Sequence, residues 1–288
     1  MFPIPSALKW LEESETGREW LRELPSRVSA CAGRWKLNLE SPYQESFVSI
    51  VFPVTCSDGS PAVLKIQWPH SESDHEADAL RRWNGQGVVR LFDYDPEHHA
   101  LLLERCEPGD HLSRIGGEEA LDVFAALLRP TWIKAGEPFK SLVDEANDWI
   151  EQLPLSWERI GRPFEKALLE AAQAALDKVS RTQGEQVLVN QDLHADNVLR
   201  AQREPWLAID PKPVVGEREL SLAPIIRGHA FEHSREAAIY RLDKLTSELQ
   251  LDRERARLWA LGQTLAWGFE GDRVYDRHVE TARWLWQG

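Results

Sequence analysis

Three side chains that can handle protons and metal ions lie in the single stretch VLVNQDLHADNVLRAQREPWLAIDPK. The stretch opens with an apolar run that predicts a short buried strand. Asp192 and Asn197 occupy the polar turn that follows this run, and Asp210 comes directly after the apolar run 206–209. The runs 198–199 and 206–209 flank a polar link, which predicts a β-hairpin. We therefore expect the three side chains to lie at the ends of adjacent strands.

The spacing from Asp192 to Asn197, D-x-x-x-x-N, is that of a kinase catalytic loop. In that chemistry an Asp orients the acceptor hydroxyl, while an Asn and a second Asp hold Mg²⁺ against the nucleotide phosphates. One amide oxygen and one carboxylate suit Mg²⁺, which prefers oxygen ligands and keeps several waters. Asp- and Asn-rich turns are also common because these side chains cap loop backbone, so the loop alone leaves a purely structural role open.

The turn 190–197 is similar to the H-G-D-x-H-x-x-N loop of the aminoglycoside phosphotransferase family. The IDPK segment that contains Asp210 resembles the metal-binding I-D-x-x segment of the same family, and the surrounding residues most resemble its streptomycin 6-kinases and hydroxyurea-resistance kinases. The chain departs from the pattern at Asn190 and Gln191, which replace the usual His-Gly, and at Asp196, where glycine is frequent.

This resemblance implies an α+β, protein-kinase-like fold of two lobes with MgATP bound between them. Residues 1–106 would form the nucleotide-binding N-lobe, a five-stranded antiparallel sheet with one helix preceded by N-terminal helices. Residues 107–288 would form a mainly helical C-lobe that carries the catalytic loop and the acceptor site. Asp192 would be the catalytic residue, Asn197 and Asp210 the metal ligands, and ATP and Mg²⁺ the cofactors.

The pattern of apolar residues agrees with the order of elements in a kinase N-lobe. Helical spacing predicts one or two amphipathic helices over residues 5–33. Alternating or continuous apolar runs then predict five strands. The predicted strands are 35–39, 47–55, 62–67, 88–94 and 100–106, with a helix over 71–84 after the third.

Lys65 and Glu76 are expected to form an ion pair. Lys65 lies in the middle of a predicted strand, and Glu76 shares the apolar face of the following helix with Leu80 and Trp83. An unpaired carboxylate on such a face is costly, and a Lys–Glu pair of this kind positions ATP phosphates in kinases. Alternatively, the lysine lies on a solvated face, and the glutamate completes a capping box with Ser73.

The expected phosphate loop, residues 41–47, contains no glycine, although glycine allows backbone N–H groups to approach phosphates closely. Ser46 is the residue there that could supply a hydroxyl and a backbone donor. The segment 101–106 predicts a buried strand that leads into an exposed connector. The family resemblance makes this segment the hinge, whose backbone at about Glu104 and Cys106 meets the adenine.

Apolar stripes punctuated by prolines at 130, 138, 154 and 163 predict the helices of the second half. Acceptor-binding carboxylates are expected there, with Asp148, Glu270 and Asp272 as the first candidates. His194 is expected to hold the catalytic loop through its own hydrogen bonds rather than to act as a base.

The composition, with 42% hydrophobic and 28% charged residues, is ordinary for a soluble globular protein. Among 288 residues the formal net charge is −13, which argues against nucleic-acid or anionic-membrane partners and favours a cationic acceptor. Three widely spaced cysteines suggest neither a disulfide framework nor a zinc site, and no G-x-S-x-G motif of a serine hydrolase occurs. We expect a cytoplasmic protein that is a monomer or a weak dimer.

The predicted function is ATP-dependent phosphorylation of a hydroxyl on a small polar cation, an aminoglycoside such as streptomycin in particular. A kinase of another metabolite, of the choline, homoserine or sugar type, would carry the same catalytic residues. A catalytically inactive nucleotide-binding protein with a kinase fold is the alternative from a different class, because the phosphate loop lacks glycine and His-Gly is replaced.

Overall fold

The computed structural model describes residues 2–70 and 74–288 of the chain. Two compact units can be distinguished. The first comprises residues 1–109 together with 201–203, and the second comprises residues 110–200 and 204–288.

The first unit contains the predicted five-stranded sheet. Its strands are β1 (Asn38–Leu39), β2 (Ser49–Thr55), β3 (Pro61–Gln67), β4 (Leu91–Asp95) and β5 (Ala100–Glu104). They are antiparallel and follow the order β1-β2-β3-β5-β4. β3 is the central strand, and its Lys65 lies opposite Val51 on β2 and Leu101 on β5. The prediction of a five-stranded antiparallel sheet is confirmed.

The N-terminal segment packs its apolar stripe into the core beside β2 and β3. It consists of a 3₁₀ helix, Ser6–Glu13, and helix α1, Glu15–Trp35. The Ser14 hydroxyl caps α1 by accepting the N–H of Gly17, a typical serine N-cap. Trp35 is therefore the last residue of a helix, and the prediction that it begins a strand was wrong. The alternation of Trp35 with the two following leucines was read as a strand, although Trp35 continues the helical pattern of α1.

Helix α2, Glu76–Trp83, follows β3 and contributes Leu80 and Trp83 to the core. Its first residue, Glu76, is itself buried. The predicted start of the helix at residue 71 and the predicted cap at Ser73 lie outside the described residues.

The second unit consists mainly of helices. These are α3 (Gly117–Thr131), α4 (Leu142–Arg159), α5 (Lys166–Ser180), α6 (Ala223–Ile226), α7 (Arg235–Leu249), α8 (Arg253–Ala266) and α9 (Asp276–Gln287). Three two-stranded sheets accompany them: β6 (Val187–Asn190) with β9 (Pro213–Gly216), β7 (Val198–Arg200) with β8 (Trp206–Ala208), and β10 (Phe269–Glu270) with β11 (Arg273–Val274). Within the described part of the chain, no helix is long and apolar enough to span a membrane.

Two prolines that were predicted to separate helices lie inside them instead. Pro130 is in α3 and Pro154 is in α4. A proline within a helix leaves the carbonyl four residues earlier without its usual donor. In α4 that carbonyl belongs to Ile150, and it accepts a hydrogen bond of 3.0 Å from the Gln173 side chain on α5. A partner on a neighbouring helix thus compensates for the proline.

The contact between α5 and α8 depends on a glycine. A β-carbon at Gly262 would lie 2.4 Å from two side-chain carbons of Leu176, so α8 can approach α5 only without a side chain at this position. At Gly33 in α1 a β-carbon would meet nothing within 4 Å. A substitution at Gly33 is therefore a suitable control for the same substitution at Gly262.

We expect Gly262→Ala to destabilise the protein by about 1–3 kcal/mol, the usual cost of overpacking a core. Gly33→Ala should stabilise it by up to about 1 kcal/mol, because alanine has the higher helix propensity. Urea unfolding of both variants measures the difference. A Gly262→Ala protein as stable as wild type would contradict the close contact between α5 and α8.

Candidate active site

The loop after β6 is anchored by the side chain of its first polar residue. Oδ1 of Asn190 accepts the backbone N–H of Asp192 at 3.0 Å and that of Lys212 at 3.1 Å. The N–H of Gln191 donates to the Lys212 carbonyl at 3.0 Å. These bonds tie the loop to the connector between β8 and β9. Asn190 thus supplies the hydrogen bonds of the loop at a position where the related pattern has histidine.

The same loop brings Asn197 and Asp210 close together. The side-chain amide of Asn197 donates to the Asp192 carbonyl at 3.1 Å, and the Asn197 carbonyl accepts the N–H of Ile209 at 2.9 Å. Val198 pairs with Ala208 in the β7–β8 hairpin, as predicted from the sequence. Asp210 follows in the left-handed region, with φ of +52°, and this conformation ends the extended run after β8.

Asn197 and Asp210 form a donor set that fits a magnesium ion. The Asn197 Nδ2 group is used in the bond to the Asp192 carbonyl, which identifies the other amide atom as the oxygen that can bind a cation. Asp210 is exposed and adds a carboxylate one residue beyond the Ile209 bond. An amide oxygen and a carboxylate with room for waters is a typical magnesium environment.

His194 holds the loop, as predicted. Its Nδ1 accepts the N–H of Asp196 at 3.3 Å and so caps the 3₁₀ turn Ala195–Asn197. Burial lowers the pKa of His194, an effect that the charges of Asp192 and Asp196 only partly offset. The neutral ring that results can accept the hydrogen bond, which a protonated ring cannot do.

One cation contacts the Asp192 carboxylate, and a second interacts with it electrostatically. The Lys212 ammonium lies 3.3 Å from Oδ2 of Asp192. Arg227 is buried, and its burial lowers the pKa of the guanidinium to about 10, with Asp192 acting in the opposite direction. Arg227 is therefore still charged at neutral pH. Neither cation was identified from the sequence, because 20 and 35 residues separate them from Asp192.

The predicted pair on the first unit is present. Nζ of Lys65 lies 3.0 and 2.7 Å from the two carboxylate oxygens of Glu76. Both residues are buried, with 5% and 2% of their surfaces exposed. Gln67, also on β3, donates to the same carboxylate at 2.5 Å and was not foreseen. The buried carboxylate thus receives hydrogen bonds from an ammonium and an amide, as a buried charge requires.

The glycine-free loop before β2 is held by both side-chain and backbone hydrogen bonds. Ser46 Oγ lies 2.7 Å from Ser49 Oγ, so its hydroxyl already has one partner. The indole N–H of Trp10, in the N-terminal 3₁₀ helix, donates to the Phe47 carbonyl at 2.8 Å. The N–H of Tyr43 donates to the Val51 carbonyl at 2.9 Å.

The predicted hinge begins at the end of β5. The Glu104 carboxylate makes two 2.8 Å contacts with the guanidinium of Arg203 and accepts the backbone N–H of Arg90 at 2.9 Å. Burial alone would raise the pKa of Glu104, but these hydrogen bonds bring it below its usual value. Burial raises the pKa of the nearby Cys106 thiol to about 12. Arg203 was missed by sequence reasoning because it is 99 residues from Glu104.

The three carboxylates expected to bind the acceptor have protein partners. Asp148 pairs with Lys140 at 2.5 Å, Asp272 pairs with Arg159 at 3.3 Å, and Glu270 accepts the hydroxyl of Tyr275. The better-buried carboxylate in this region is Glu145, which lies 2.6 Å from Lys140 and 3.5 Å from the Gln191 amide beside Asp192. No pattern in the sequence pointed to Glu145.

Cys31, Asp95 and His98 are the one group of potential metal ligands found among residues 2–70 and 74–288. Asp95 already accepts hydrogen bonds from the Arg34 guanidinium at 3.2 Å and from the His98 ring at 3.0 Å. Burial, reinforced by Asp95, raises the pKa of the Cys31 thiol to about 11. A neutral thiol beside an occupied carboxylate indicates a structural cap on the turn after β4.

Comparison with known proteins places the chain among small-molecule kinases. The family model described as aminoglycoside/hydroxyurea antibiotic resistance kinase matches residues 34–273. A hydroxyurea phosphotransferase of Kitasatospora aureofaciens is 39% identical over 279 residues, which is 93% of this chain and 81% of that protein. A streptomycin 6-kinase of Streptomyces griseus is 36% identical over 258 residues, covering 87% and 84%.

Among solved structures, a choline kinase from Streptococcus pneumoniae is similar with a TM-score of 0.64 at 12% identity. The similarity covers 91% of this chain and 99% of the choline kinase. At this identity the similarity concerns the fold, and it confirms the predicted protein-kinase-like fold.

The buried pair on β3 and α2 should behave as one unit. Lys65→Met leaves the Glu76 carboxylate without its cation and should cost about 3–5 kcal/mol of folding stability. In the double variant Lys65→Met/Glu76→Leu the stranded charge is gone, so the loss should be smaller than the sum of the two single losses. Urea unfolding of the four proteins gives the coupling free energy. Purely additive losses would contradict the pairing.

Proposed function

Because the chain belongs to the aminoglycoside/hydroxyurea antibiotic resistance kinase family and is thus a small-molecule kinase, we propose that it phosphorylates a hydroxyl of a cationic aminoglycoside such as streptomycin, with ATP as the donor. The observation that carries the proposal is the Asn190-anchored loop. It holds Asp192 beside the Lys212 ammonium and brings Asn197 next to the segment that carries Asp210.

In this proposal Asp192 orients the acceptor hydroxyl and accepts its proton. Its backbone is fixed at both the N–H and the carbonyl, so the carboxylate is presented from a rigid turn. Asn197 and Asp210 would hold Mg²⁺, which would supply positive charge to offset that of the nucleotide phosphates. Lys65, oriented by Glu76 and Gln67, binds nucleotide phosphate.

The remaining nucleotide contacts are assigned to the first unit. Ser46 offers a hydroxyl and a backbone N–H to the phosphates in place of glycine-flanked amides. The backbone at Glu104 and Cys106 forms the adenine hinge, and the Arg203 pair holds Glu104 at the end of β5. Residues 1–106 then supply nucleotide binding, and residues 107–288 supply the catalytic loop and the acceptor site.

Hydroxyurea is the second candidate acceptor, and the 39% identity to a hydroxyurea phosphotransferase is the observation that favours it. Hydroxyurea is small and uncharged, whereas streptomycin carries guanidinium groups. A cationic acceptor would therefore use carboxylates near the loop, such as Glu145, whereas an uncharged acceptor would not.

Asp192→Asn should lower kcat on the order of 10²–10⁴-fold, the usual contribution of a positioned general base. MgATP affinity should change little, since the side chain acts on the acceptor. Steady-state kinetics and calorimetric titration measure the two quantities. Asp177→Asn, on the exposed face of α5, is the matched control and should leave both unchanged. Turnover of Asp192→Asn within a few-fold of wild type would refute the assignment.

Asp210→Asn should abolish the dependence of nucleotide affinity on Mg²⁺, because it removes the carboxylate of the proposed metal site. The measurement is ATP titration with and without Mg²⁺ for wild type and variant. Asp110→Asn, remote in sequence and salt-bridged to Arg114, serves as the control. Equal affinities of the wild-type protein with and without Mg²⁺ would be inconsistent with the proposal.

The acceptor assignment predicts that KM for streptomycin rises with ionic strength, because the net charge of −13 attracts a cation and salt screens that attraction. KM for hydroxyurea, which is uncharged, should not respond to salt. A kinetic screen of streptomycin, hydroxyurea and neutral sugars at low and high salt tests this. If a neutral compound is the best acceptor and its KM is independent of salt, the aminoglycoside assignment is wrong, although the kinase assignment stands.

A further inference from the structure

The side chain of Gln191, the residue before Asp192, is buried but incompletely hydrogen-bonded. Only 6% of Gln191 is exposed. Its backbone N–H donates to the Lys212 carbonyl, and its own carbonyl accepts the Gln263 amide at 3.1 Å. Among residues 2–70 and 74–288, however, no donor reaches the side-chain oxygen Oε1. Because buried polar atoms are normally hydrogen-bonded, we expect a donor here that comes from outside the chain.

The same side-chain amide points at the Glu145 carboxylate on α4. Gln191 Nε2 lies 3.5 Å from Glu145 Oε1, which is longer than an ordinary hydrogen bond. The other oxygen of this carboxylate, Oε2, lies 2.6 Å from the Lys140 ammonium, and 16% of the Glu145 side chain is exposed. Two acceptor oxygens, one on Gln191 and one on Glu145, therefore adjoin each other, and the contact to the second is long.

The charges around Glu145 favour a cation. Lys140 is shared between Glu145 and Asp148, with distances of 2.6 and 2.5 Å. One ammonium thus faces two carboxylates, and the three side chains together carry a negative charge. Since Gln191 directly precedes Asp192, a cation held by Gln191 and Glu145 would bring the rest of its molecule close to the proposed catalytic carboxylate.

Two adjoining acceptor oxygens suit a planar donor that carries several N–H groups. A guanidinium holds five N–H donors in one plane, so it can donate to a carboxylate and to an amide oxygen at the same time. An ammonium is a compact point charge without this fork. A buried water is the structural alternative, because it would satisfy Gln191 Oε1 without any role in acceptor binding.

We propose that Gln191 Oε1 and the Glu145 carboxylate bind a guanidinium group of the acceptor and so select guanidino compounds over amino compounds; the inference rests on the proposed kinase function. Lys140 orients the carboxylate through Oε2. The related loop pattern has glycine at position 191, which has no side chain to offer. Gln191 and Glu145 are then specificity-determining residues, while Asp192 acts on the hydroxyl.

The experiment uses two cyclitols that differ only in the groups to be distinguished. Streptidine carries two guanidino groups, streptamine carries two amino groups on the same ring, and both are dications at neutral pH. Calorimetry gives the Kd of each for the wild-type protein, Glu145→Gln and Gln191→Met. The matched controls are Glu151→Gln and Gln152→Met, at exposed positions on α4.

We expect the wild-type protein to bind streptidine at least about tenfold more tightly than streptamine, since a charge-assisted fork is stronger than a single point contact. Glu145→Gln and Gln191→Met should each reduce this preference to less than about threefold, and the two controls should keep it. The Kd of MgADP should stay unchanged in every variant. If Gln191→Met does not fold, as thermal unfolding would show, Glu145→Gln alone decides.

Equal affinity of the wild-type protein for the two cyclitols would overturn the guanidinium subsite. So would variants that weaken both cyclitols by the same factor, because charge alone would then explain the binding. A preference that survives Gln191→Met would identify a water as the partner of Oε1 and would also overturn it. In all three cases ATP-dependent phosphorylation of streptomycin would still support the proposed function. A wild-type protein that neither phosphorylates nor binds streptomycin would overturn both.

Discussion

One side-chain oxygen, Oδ1 of Asn190, receives two backbone N–H groups from segments that are 20 residues apart in the chain. Those groups belong to Asp192 and Lys212, so the Asp192 carboxylate and the neighbouring ammonium belong to segments that share one anchor. The usual histidine at this position can also hydrogen-bond, but an asparagine oxygen has two lone pairs and accepts both bonds at once. At residue 190, where this chain departs from the family pattern, the asparagine therefore anchors the loop at two points.

Each unit contains buried charges. Lys65 and Glu76 are almost fully buried in the first unit, and Arg227 is buried in the second with its charge retained. Each is held by polar partners, since an uncompensated buried charge would cost several kcal/mol. Gln67 completes the first group and Gln263 the second. In each unit, therefore, the neutral side-chain amide of a glutamine is hydrogen-bonded to a buried charged group.

The loop before β2, residues 41–47, contains no glycine and is supported by hydrogen bonds. Without glycine, the loop before β2 cannot use unrestricted backbone conformations. Its shape is instead held by hydrogen bonds from Trp10 to Phe47 and between Ser46 and Ser49. The N-terminal 3₁₀ helix is thereby part of the loop's support.

The sequence by itself determined the five-stranded sheet, the β7–β8 hairpin, the Lys65–Glu76 pair and the order of Asp192, Asn197 and Asp210. The strands and the hairpin follow from periodicity, which local backbone geometry converts directly into position. The Lys65–Glu76 pair, 11 residues apart, follows from the position of Glu76 on the apolar face of its helix. Tertiary structure alone decided that Lys212 and Arg227 interact with Asp192, and that Arg203 pairs with Glu104. Such contacts join residues far apart in the chain, and they depend on how helices and connectors pack, which no local pattern encodes.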